Sequence, residues 1–258
     1  MPQDDIQFFE KTDGGRIAYV YSPAKDAGLD LPTVIFCGGY KSDMNGSKAT
    51  YFEEQCRIRG QAYVRFDYSG HGRSSGEFKD GTIGSWLADA SLVIDEIIEG
   101  QVLIVGSSMG GWIGLLLAKA KAERVKGFIG IAAAPDFTMR LYEDEFTDEH
   151  RACVESDGYV EIPSDYDEPY IFTKGLFEDG KQHLVLNSDH THDYPITLFH
   201  GLQDDSVPKE SSIAIREKYS GGALDIVFIE DGDHRLSRPQ DLEMIMAEIV
   251  SMSEAEEL

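Results

Sequence analysis

Residues 102–112 read Val102-Leu103-Ile104-Val105-Gly106-Ser107-Ser108-Met109-Gly110-Gly111-Trp112. A short apolar run rich in β-branched residues ends in Gly-x-Ser-x-Gly and passes into a stretch with helical character, 112–121. A strand, a sharp turn and a helix in this order form the context in which a serine is presented as a nucleophile. Gly106 and Gly110 leave room for the turn, and Ser108 lies midway between them. The pattern therefore predicts Ser108, and not the adjacent Ser107, as the nucleophile.

The rest of the chain alternates between predicted strands and predicted helices. The strands are expected at 33–37, 61–67, 102–105, 125–133, 196–199 and 224–229, and the helices at 47–59, 83–98, 112–121, 208–219 and from about 237 onward. A hairpin is expected at 6–21, and Ser237 with Gln240 matches a capping box at the start of the last helix. This alternation indicates an α/β fold with a mostly parallel central sheet and helices on both faces. We expect residues 1–258 to form one domain.

The alternation stops between 136 and 194. This segment has sixteen acidic and four basic residues, but aromatic and apolar side chains are distributed through it. Because a disordered stretch would have few aromatic residues, we expect an insertion with its own apolar surface. The sequence predicts a small lid over a pocket. The alternative is an insertion that has no role at the pocket. The excess of negative charge also predicts a preference for neutral or cationic leaving groups over coenzyme A thioesters.

The whole chain is acidic, with 47 Asp and Glu residues against 23 Lys and Arg residues and a net charge of −24. This balance argues against binding to nucleic acid, which depends on neutralising phosphates, and against an anionic membrane surface. The N-terminus lacks the features of a secretory signal or an organelle presequence, and no apolar run is long enough to span a membrane. We therefore expect a cytoplasmic protein without membrane insertion.

Neither the cysteines nor the histidines indicate a metal site. Cys37, Cys56 and Cys153 are odd in number and widely spaced, so they match neither a disulfide framework nor a Cys-x-x-Cys site. The run 189–193 contains His-x-His between two carboxylates, but it lacks a helical frame or a second cluster, and a solvated loop is the simpler interpretation. We expect no metal and no organic cofactor.

The partners of a nucleophilic serine should follow later strands, because the loops after the carboxyl ends of parallel strands meet at one edge of the sheet. The predicted strand at 196–199 is followed by 200–208, which contains Asp204 and Asp205, and the strand at 224–229 is followed by 230–234, which ends in His234. The order Ser108, Asp204, His234 matches a Ser-His-Asp triad, with Asp205 as the alternative acid. Asp233 is expected to be a turn residue.

An acyl-transfer reaction also needs N–H donors for the oxyanion. The backbone N–H of Met109 at the start of the helix is one candidate, and that of Tyr40 in the loop after Gly38-Gly39 is the other. Tyr40, Phe137, Met139 and Tyr142 are the predicted substrate-binding residues.

With these residues in place, the chain resembles the α/β-hydrolase superfamily over nearly its whole length. The motifs 66–74, reading Phe-Asp-Tyr-Ser-Gly-His-Gly-Arg-Ser, and His200-Gly201-x-x-Asp204 are typical of it. The stretches 36–44, 106–112 and 134–138 are similar to one subgroup. This subgroup contains the mitochondrial palmitoyl-protein thioesterase, which is also an acyl-glucuronide esterase, and its bacterial relatives. The resemblance implies Ser108, Asp204 and His234 as the triad, and a small lid over an acyl pocket.

We therefore predict a serine hydrolase that cleaves carboxylic esters or thioesters, with a small-molecule ester or an acylated protein as its substrate. A hydrolase-like binding protein or receptor with little turnover is the alternative from another class, and a peptidase is the alternative among enzymes. Acyl-chain length, the choice between ester and thioester, and the oligomeric state do not follow from the sequence.

Overall fold

The computed structural model describes residues 6–25, 28–163 and 169–255. The predictions about the first five residues and about the last three therefore lie outside the described residues, as do three of the acidic residues of 136–194. Within the described residues the strands are β1 (Gln7–Glu10), β2 (Arg16–Ser22), β3 (Thr33–Cys37), β4 (Tyr63–Phe66), β5 (Val102–Ser107), β6 (Val125–Ile131), β7 (Tyr159–Ile162), β8 (Tyr170–Thr173), β9 (His190–His192), β10 (Ile196–Gly201), β11 (Tyr219–Gly221) and β12 (Leu224–Ile229).

Eight of these strands form the central sheet, in the order β1-β2-β4-β3-β5-β6-β10-β12. Strand β2 runs antiparallel to both of its neighbours, and the pairs from β4 to β12 are parallel. The predicted, mostly parallel sheet is therefore confirmed. Strands β5, β6, β10 and β12 are adjacent and parallel, so the loops that follow them open at the same edge.

Helices cover both faces of this sheet, as the alternation predicted. They are α1 (Ser47–Arg59), α2 (Ile83–Ile97), α3 (Met109–Ala120), α4 (Phe137–Arg140), α5 (Asp148–Asp157), α6 (Lys174–Gly180), α7 (Glu210–Lys218) and α8 (Pro239–Glu254). On one face, Phe52 of α1 and Ile245 of α8 pack with Leu103 of β5. On the other face, Trp86 of α2 and Trp112 of α3 are buried in a second cluster. In the part of the chain that the structure describes, no helix is both long and apolar enough to cross a membrane.

The segment between β6 and β10 has regular structure of its own. It contains α4, a π-helical turn at Leu141–Glu145, α5, a hairpin of β7 and β8, and α6. Phe146, Phe172 and Phe177 are buried together, and their rings lie within 6.3 Å of one another. An apolar centre therefore holds the segment together, as its aromatic content predicted.

Three predicted helix starts differ from the structure. Helix α7 begins at Glu210, two residues after the predicted start, and the starts of α3 and α8 also differ. Helix α3 begins at Met109 and not at Trp112, because the amide of Gly111 donates to the carbonyl of Ser108 and starts the helix within the glycine turn. Gly110 and Gly111 are poor helix formers, so the sequence alone indicates a later start.

Helix α8 is capped one residue later than the motif predicted. Its N-cap is Arg238, and the buried carboxylate of Asp241 accepts hydrogen bonds from the backbone and the guanidinium of that residue. Ser237 instead donates to the carbonyl of Arg235. A carboxylate that pairs with a guanidinium makes stronger hydrogen bonds than a serine–glutamine pair, which favours the observed cap.

The variant Asp241→Ala tests this cap. It removes the acceptor from the Arg238 backbone and guanidinium, so we expect the free energy of unfolding in urea to fall by about 1–3 kcal/mol. The control Gln240→Ala, at the neighbouring exposed position, should change it by less than about 0.5 kcal/mol. If Gln240→Ala lowers the free energy of unfolding more than Asp241→Ala does, the capping box formed by Ser237 and Gln240 would be supported instead.

Candidate active site

Ser108 lies on a sharp turn between β5 and α3. Its backbone has φ of 54° and ψ of −119°, a conformation that non-glycine residues rarely adopt. A side chain at Gly106 would overlap the carbonyl of Gly110, and a side chain at Gly110 would overlap the carbonyl of Cys37. The two glycines are therefore required by close packing against backbone, and they hold the serine at the carboxyl end of β5 in a strained conformation.

The structure brings Ser108, His234 and Asp204 together. Nδ1 of His234 lies 2.8 Å from Oδ2 of Asp204, and Nε2 lies 3.2 Å from Oγ of Ser108. Because an ionised carboxylate only accepts hydrogen bonds, Nδ1 donates to it, and in the neutral ring Nε2 is left as an acceptor that faces the serine hydroxyl. This is the arrangement in which an imidazole can take a proton from a serine.

Asp204 is held from several sides, whereas the alternative acid is not. Oδ1 of Asp204 accepts from the amides of Ser206, at 2.9 Å, and Val207, at 2.8 Å, and its side chain is 1% exposed. Burial acts to raise the pKa of Asp204, but the hydrogen bond and charge of His234 and the two amides outweigh it and lower that pKa. Asp205 is exposed, and its carboxylate accepts from the Ser206 hydroxyl.

A cavity of about 530 Å³ opens over Ser108. Its lining comes from four regions: the loop after β3 with the first turn of α1, the Ser108 turn, the segment between β6 and β10, and the loops that carry Asp204 and His234. The lining residues are Phe36, Gly39, Tyr40, Ser42, Asp43, Gly46, Ser47, Lys48, Ala49, Ser107, Ser108, Met109, Ala134, Phe137, Arg140, Leu141, Ile162, Tyr170, Phe172, Ser206, Val207, His234, Arg235 and Ser237.

The two residues predicted to supply oxyanion N–H groups both line this cavity beside Ser108. Met109 is the first residue of α3, where backbone N–H groups have no partner inside the helix. Tyr40 follows Gly39, and a Cβ built on Gly39 would lie 3.4 Å from Cβ of Ser108. The loop after β3 therefore approaches the serine closely.

Tyr40 also joins this loop to the β7–β8 hairpin. Its hydroxyl donates to the carbonyl of Ile171 in β8, and its ring stacks on Phe172 with a centroid separation of 5.1 Å and an interplanar angle of 9°. Nζ of the neighbouring Lys41 donates to the carbonyl of Pro169 at 3.1 Å. Burial raises the pKa of Tyr40, so its hydroxyl stays protonated and remains a donor.

Of the other predicted substrate-binding residues, Phe137 lines the cavity, but Met139 and Tyr142 do not. The turn of the helix explains the difference, because positions three and four after Phe137 share its face, and these are Arg140 and Leu141. Tyr142 instead packs on Phe177, with a centroid separation of 5.2 Å. For these two positions the prediction is corrected.

The preference for neutral or cationic leaving groups, which was expected from the acidic segment, stays a prediction. The described residues of this segment that line the cavity are Phe137, Arg140, Leu141, Ile162, Tyr170 and Phe172, and none of them is acidic. Glu143, Asp144 and Glu145 are exposed on the outer side. Among the described residues of the segment, the side chains that line the cavity are therefore apolar, aromatic or basic, and none is a carboxylate.

Sequence reasoning missed Lys48, Arg235 and the aromatic residues of the hairpin. Arg235 directly follows His234, so adjacency to a motif residue was an available signal for it, whereas Lys48 in the first turn of α1 adjoins no motif residue. Tyr170 and Phe172 alternate in β8, which places both on one face of the strand.

The histidines at 190 and 192 are not in a solvated loop. They form β9, which pairs with β11, and His192 is buried. Nε2 of His190 lies 2.9 Å from the carbonyl of Val185, and Nδ1 of His192 lies 2.7 Å from that of Tyr194. Within the described ranges, no three His, Cys, Asp or Glu residues are grouped as metal ligands.

This sheet order, with a serine on a strained turn after β5, agrees with a sequence profile described as the alpha/beta hydrolase family, which matches residues 54–243. The chain belongs to the α/β-hydrolase family. It is 32% identical, over 243 residues, to the bovine protein named "Palmitoyl-protein thioesterase ABHD10, mitochondrial", with 93% of this chain and 78% of that protein covered.

Two solved α/β-hydrolase structures extend the likeness to the fold. A putative hydrolase from Agrobacterium vitis S4 is 37% identical and has a TM-score of 0.90, with 96% of this chain and 99% of that chain covered. The alpha/beta hydrolase domain-containing protein 10 from mouse is 31% identical, with a TM-score of 0.87 and coverage of 96% and 98%. The similarity therefore includes the segment between β6 and β10 as well as the central sheet.

The variant Tyr40→Phe tests the connection between the loop and the hairpin. It removes one partly buried donor and leaves the carbonyl of Ile171 without that hydrogen bond, so we expect the free energy of unfolding to fall by about 1 kcal/mol. The control Tyr159→Phe removes a hydroxyl from an exposed position of the same hairpin and should have no measurable effect. Equal melting temperatures for the unsubstituted protein, Tyr40→Phe and Tyr159→Phe would contradict the connection.

Proposed function

We propose that this protein is a serine hydrolase that cleaves carboxylic esters or thioesters through an acyl-enzyme. The observation that carries the proposal is the 3.2 Å separation between Oγ of Ser108 and Nε2 of His234 inside the cavity. A hydroxyl within hydrogen-bond reach of an oriented imidazole is the basis of nucleophilic catalysis by serine. The kinship with a protein named as a thioesterase agrees with this chemistry.

In the first half of the reaction, Oγ of Ser108 forms a bond to the substrate carbonyl carbon while Nε2 of His234 takes the hydroxyl proton. The carbonyl oxygen becomes an oxyanion, and the backbone N–H groups of Met109 and Tyr40 are the donors proposed to hold it. Asp204 keeps the proton on Nδ1 and offsets the charge of the imidazolium, without taking the proton itself.

Collapse of this intermediate breaks the bond to the leaving group, which departs as an alcohol or thiol after His234 donates the proton to it. Water then attacks the acyl-enzyme, and Nε2 accepts a proton from the water. The acid is released, and Ser108 recovers its proton. Atoms and charges balance without a metal or an organic cofactor.

The segment 136–194 is proposed to act as a lid on a single domain. Its aromatic side chains that line the cavity, Phe137, Tyr170 and Phe172, offer apolar surface to an acyl group. Small-molecule esters and acylated proteins are both proposed as substrates. Cytoplasmic location stays a prediction, and the curated relatives are named as mitochondrial proteins.

The first test compares the two adjacent serines of the turn. Ser108→Ala should abolish labelling by a fluorophosphonate probe and lower kcat for 4-nitrophenyl butyrate by about 10³-fold or more. Ser107→Ala, which shortens the neighbouring side chain in the same cavity, should be labelled and should keep kcat within about tenfold. Folding of both variants is checked by circular dichroism. Unchanged labelling of Ser108→Ala would reject the hydrolase proposal in favour of a binding protein.

The second test compares the two adjacent aspartates. Asp204→Asn removes the acceptor that keeps the His234 proton on Nδ1, so we expect kcat to fall by about 10³- to 10⁴-fold. Asp205→Asn, at the exposed neighbour, should keep kcat within about twofold. The reverse order of effects in the same ester assay would make Asp205 the acid.

A further inference from the structure

Basic side chains outnumber acidic ones among the described residues that line the cavity, in contrast to the chain as a whole. Among the lining residues, Lys48, Arg140 and Arg235 are basic and Asp43 is acidic, whereas the whole sequence has 47 acidic and 23 basic residues. In a protein of net charge −24, a basic side chain at the cavity that keeps a donor for a further acceptor is the group that would attract an anionic substrate.

Lys48 differs from Arg140 in its partners. Arg140 forms an ion pair with Glu145, and its charge is offset by that carboxylate. Lys48 is half-buried, and its Nζ donates to the carbonyl of Arg235 at 2.6 Å and to Oγ of Ser237 at 3.4 Å. Among the described side chains, no carboxylate forms an ion pair with Lys48. An ammonium has three donors, so these two contacts leave one for a further acceptor.

The surroundings of Lys48 disfavour its charge in the absence of a ligand. Burial lowers the pKa of Lys48 to about 8, against the attraction of Asp233 and together with the repulsion of Arg235. Holding a half-buried cation without a direct ion pair costs free energy, and a bound anion would offset that cost.

Lys48 is also close to the reacting groups. The carbonyl that accepts its shorter hydrogen bond belongs to the residue after His234, and Lys48 and Ser108 line the same cavity. The first turn of α1, from Ser47 to Ala49, forms the adjoining wall. This turn contains no acidic residue and no capping side chain, so it does not neutralise the ammonium.

We propose that Lys48 is the anion-binding group of the substrate cavity, and that the enzyme prefers esters or thioesters with a carboxylate or phosphate near the scissile carbonyl. This inference rests on the proposed hydrolase function and names the substrate class. The apolar side chains of Phe137, Leu141 and Phe172 then contact the uncharged part of the substrate. In this proposal, the apolar side chains bind the uncharged part of the substrate and the Lys48 ammonium binds its anionic group.

The test compares substrates that carry an anionic group with neutral counterparts. Mono-4-nitrophenyl glutarate is compared with 4-nitrophenyl pentanoate for an anion on the acyl side. For an anion on the leaving group, 4-acetoxybenzoate and 4-acetoxyphenyl phosphate are compared with methyl 4-acetoxybenzoate. Each kcat/KM is expressed as the ratio of variant to unsubstituted protein, so intrinsic differences in ester reactivity cancel. The two leaving-group anions distinguish carboxylate from phosphate recognition.

Three variants complete the design. Lys48→Met removes the charge at similar length, and we expect kcat/KM for at least one anionic substrate to fall by about tenfold or more, with the neutral partner changed by less than about twofold. Lys48→Arg restores the charge and should restore the preference. Lys119→Met, at an exposed lysine of α3, is the control and should change neither ratio. In the unsubstituted protein, the preference should decline as pH rises through about 8, because the ammonium loses its proton.

The outcomes separate the inference from the function on which it rests. Equal losses for anionic and neutral substrates in Lys48→Met would mean that Lys48 only supports the His234 loop, and the inference would be overturned. Unchanged values for every substrate would overturn it as well. If the unsubstituted protein hydrolyses none of the esters and Ser108 is not labelled by the fluorophosphonate, the hydrolase proposal itself fails.

Discussion

The turn between β5 and α3 is the constraint on which the rest of the site depends. It brings backbone against backbone, because side chains at Gly106 or Gly110 would overlap the carbonyls of Gly110 and Cys37. The cost is a serine with φ of 54°, held by a hydrogen bond from its amide to the carbonyl of Ile131 at 2.9 Å. Strands β3 and β6 pair in parallel with the two edges of β5 and so keep this turn in place.

Much of this architecture was predictable because its determinants are local. Each determinant can be recognised within a few residues of sequence. They are the apolar runs of the parallel strands, the glycines of the turn and the two loops after β10 and β12. The fold class and the nearness of Ser108, Asp204 and His234 follow from those runs, because carboxyl ends of parallel strands share an edge. The motifs that carry the family resemblance include Ser108 and Asp204.

The features of the site that the sequence did not predict depend on which side chains face the cavity. Met139 and Tyr142 were chosen for their chemistry, but the helical turn directs Arg140 and Leu141 to the cavity instead. The acidic composition of 136–194 says nothing about which face of the segment carries the charge. Lys48 belongs to a helix whose pattern gives no sign of its function, and its role appears only when α1 is placed beside the His234 loop.

Tyr40 connects the loop beside Ser108 with the β7–β8 hairpin. Its backbone belongs to the loop beside Ser108, and its ring and hydroxyl belong to the packing of the β7–β8 hairpin. A hairpin from a related enzyme could be grafted in place of β7 and β8 to change the cavity. Here such a graft would alter the support of the reaction centre together with the shape of the cavity. A graft that includes the loop from Gly38 to Lys41 would keep the two parts matched.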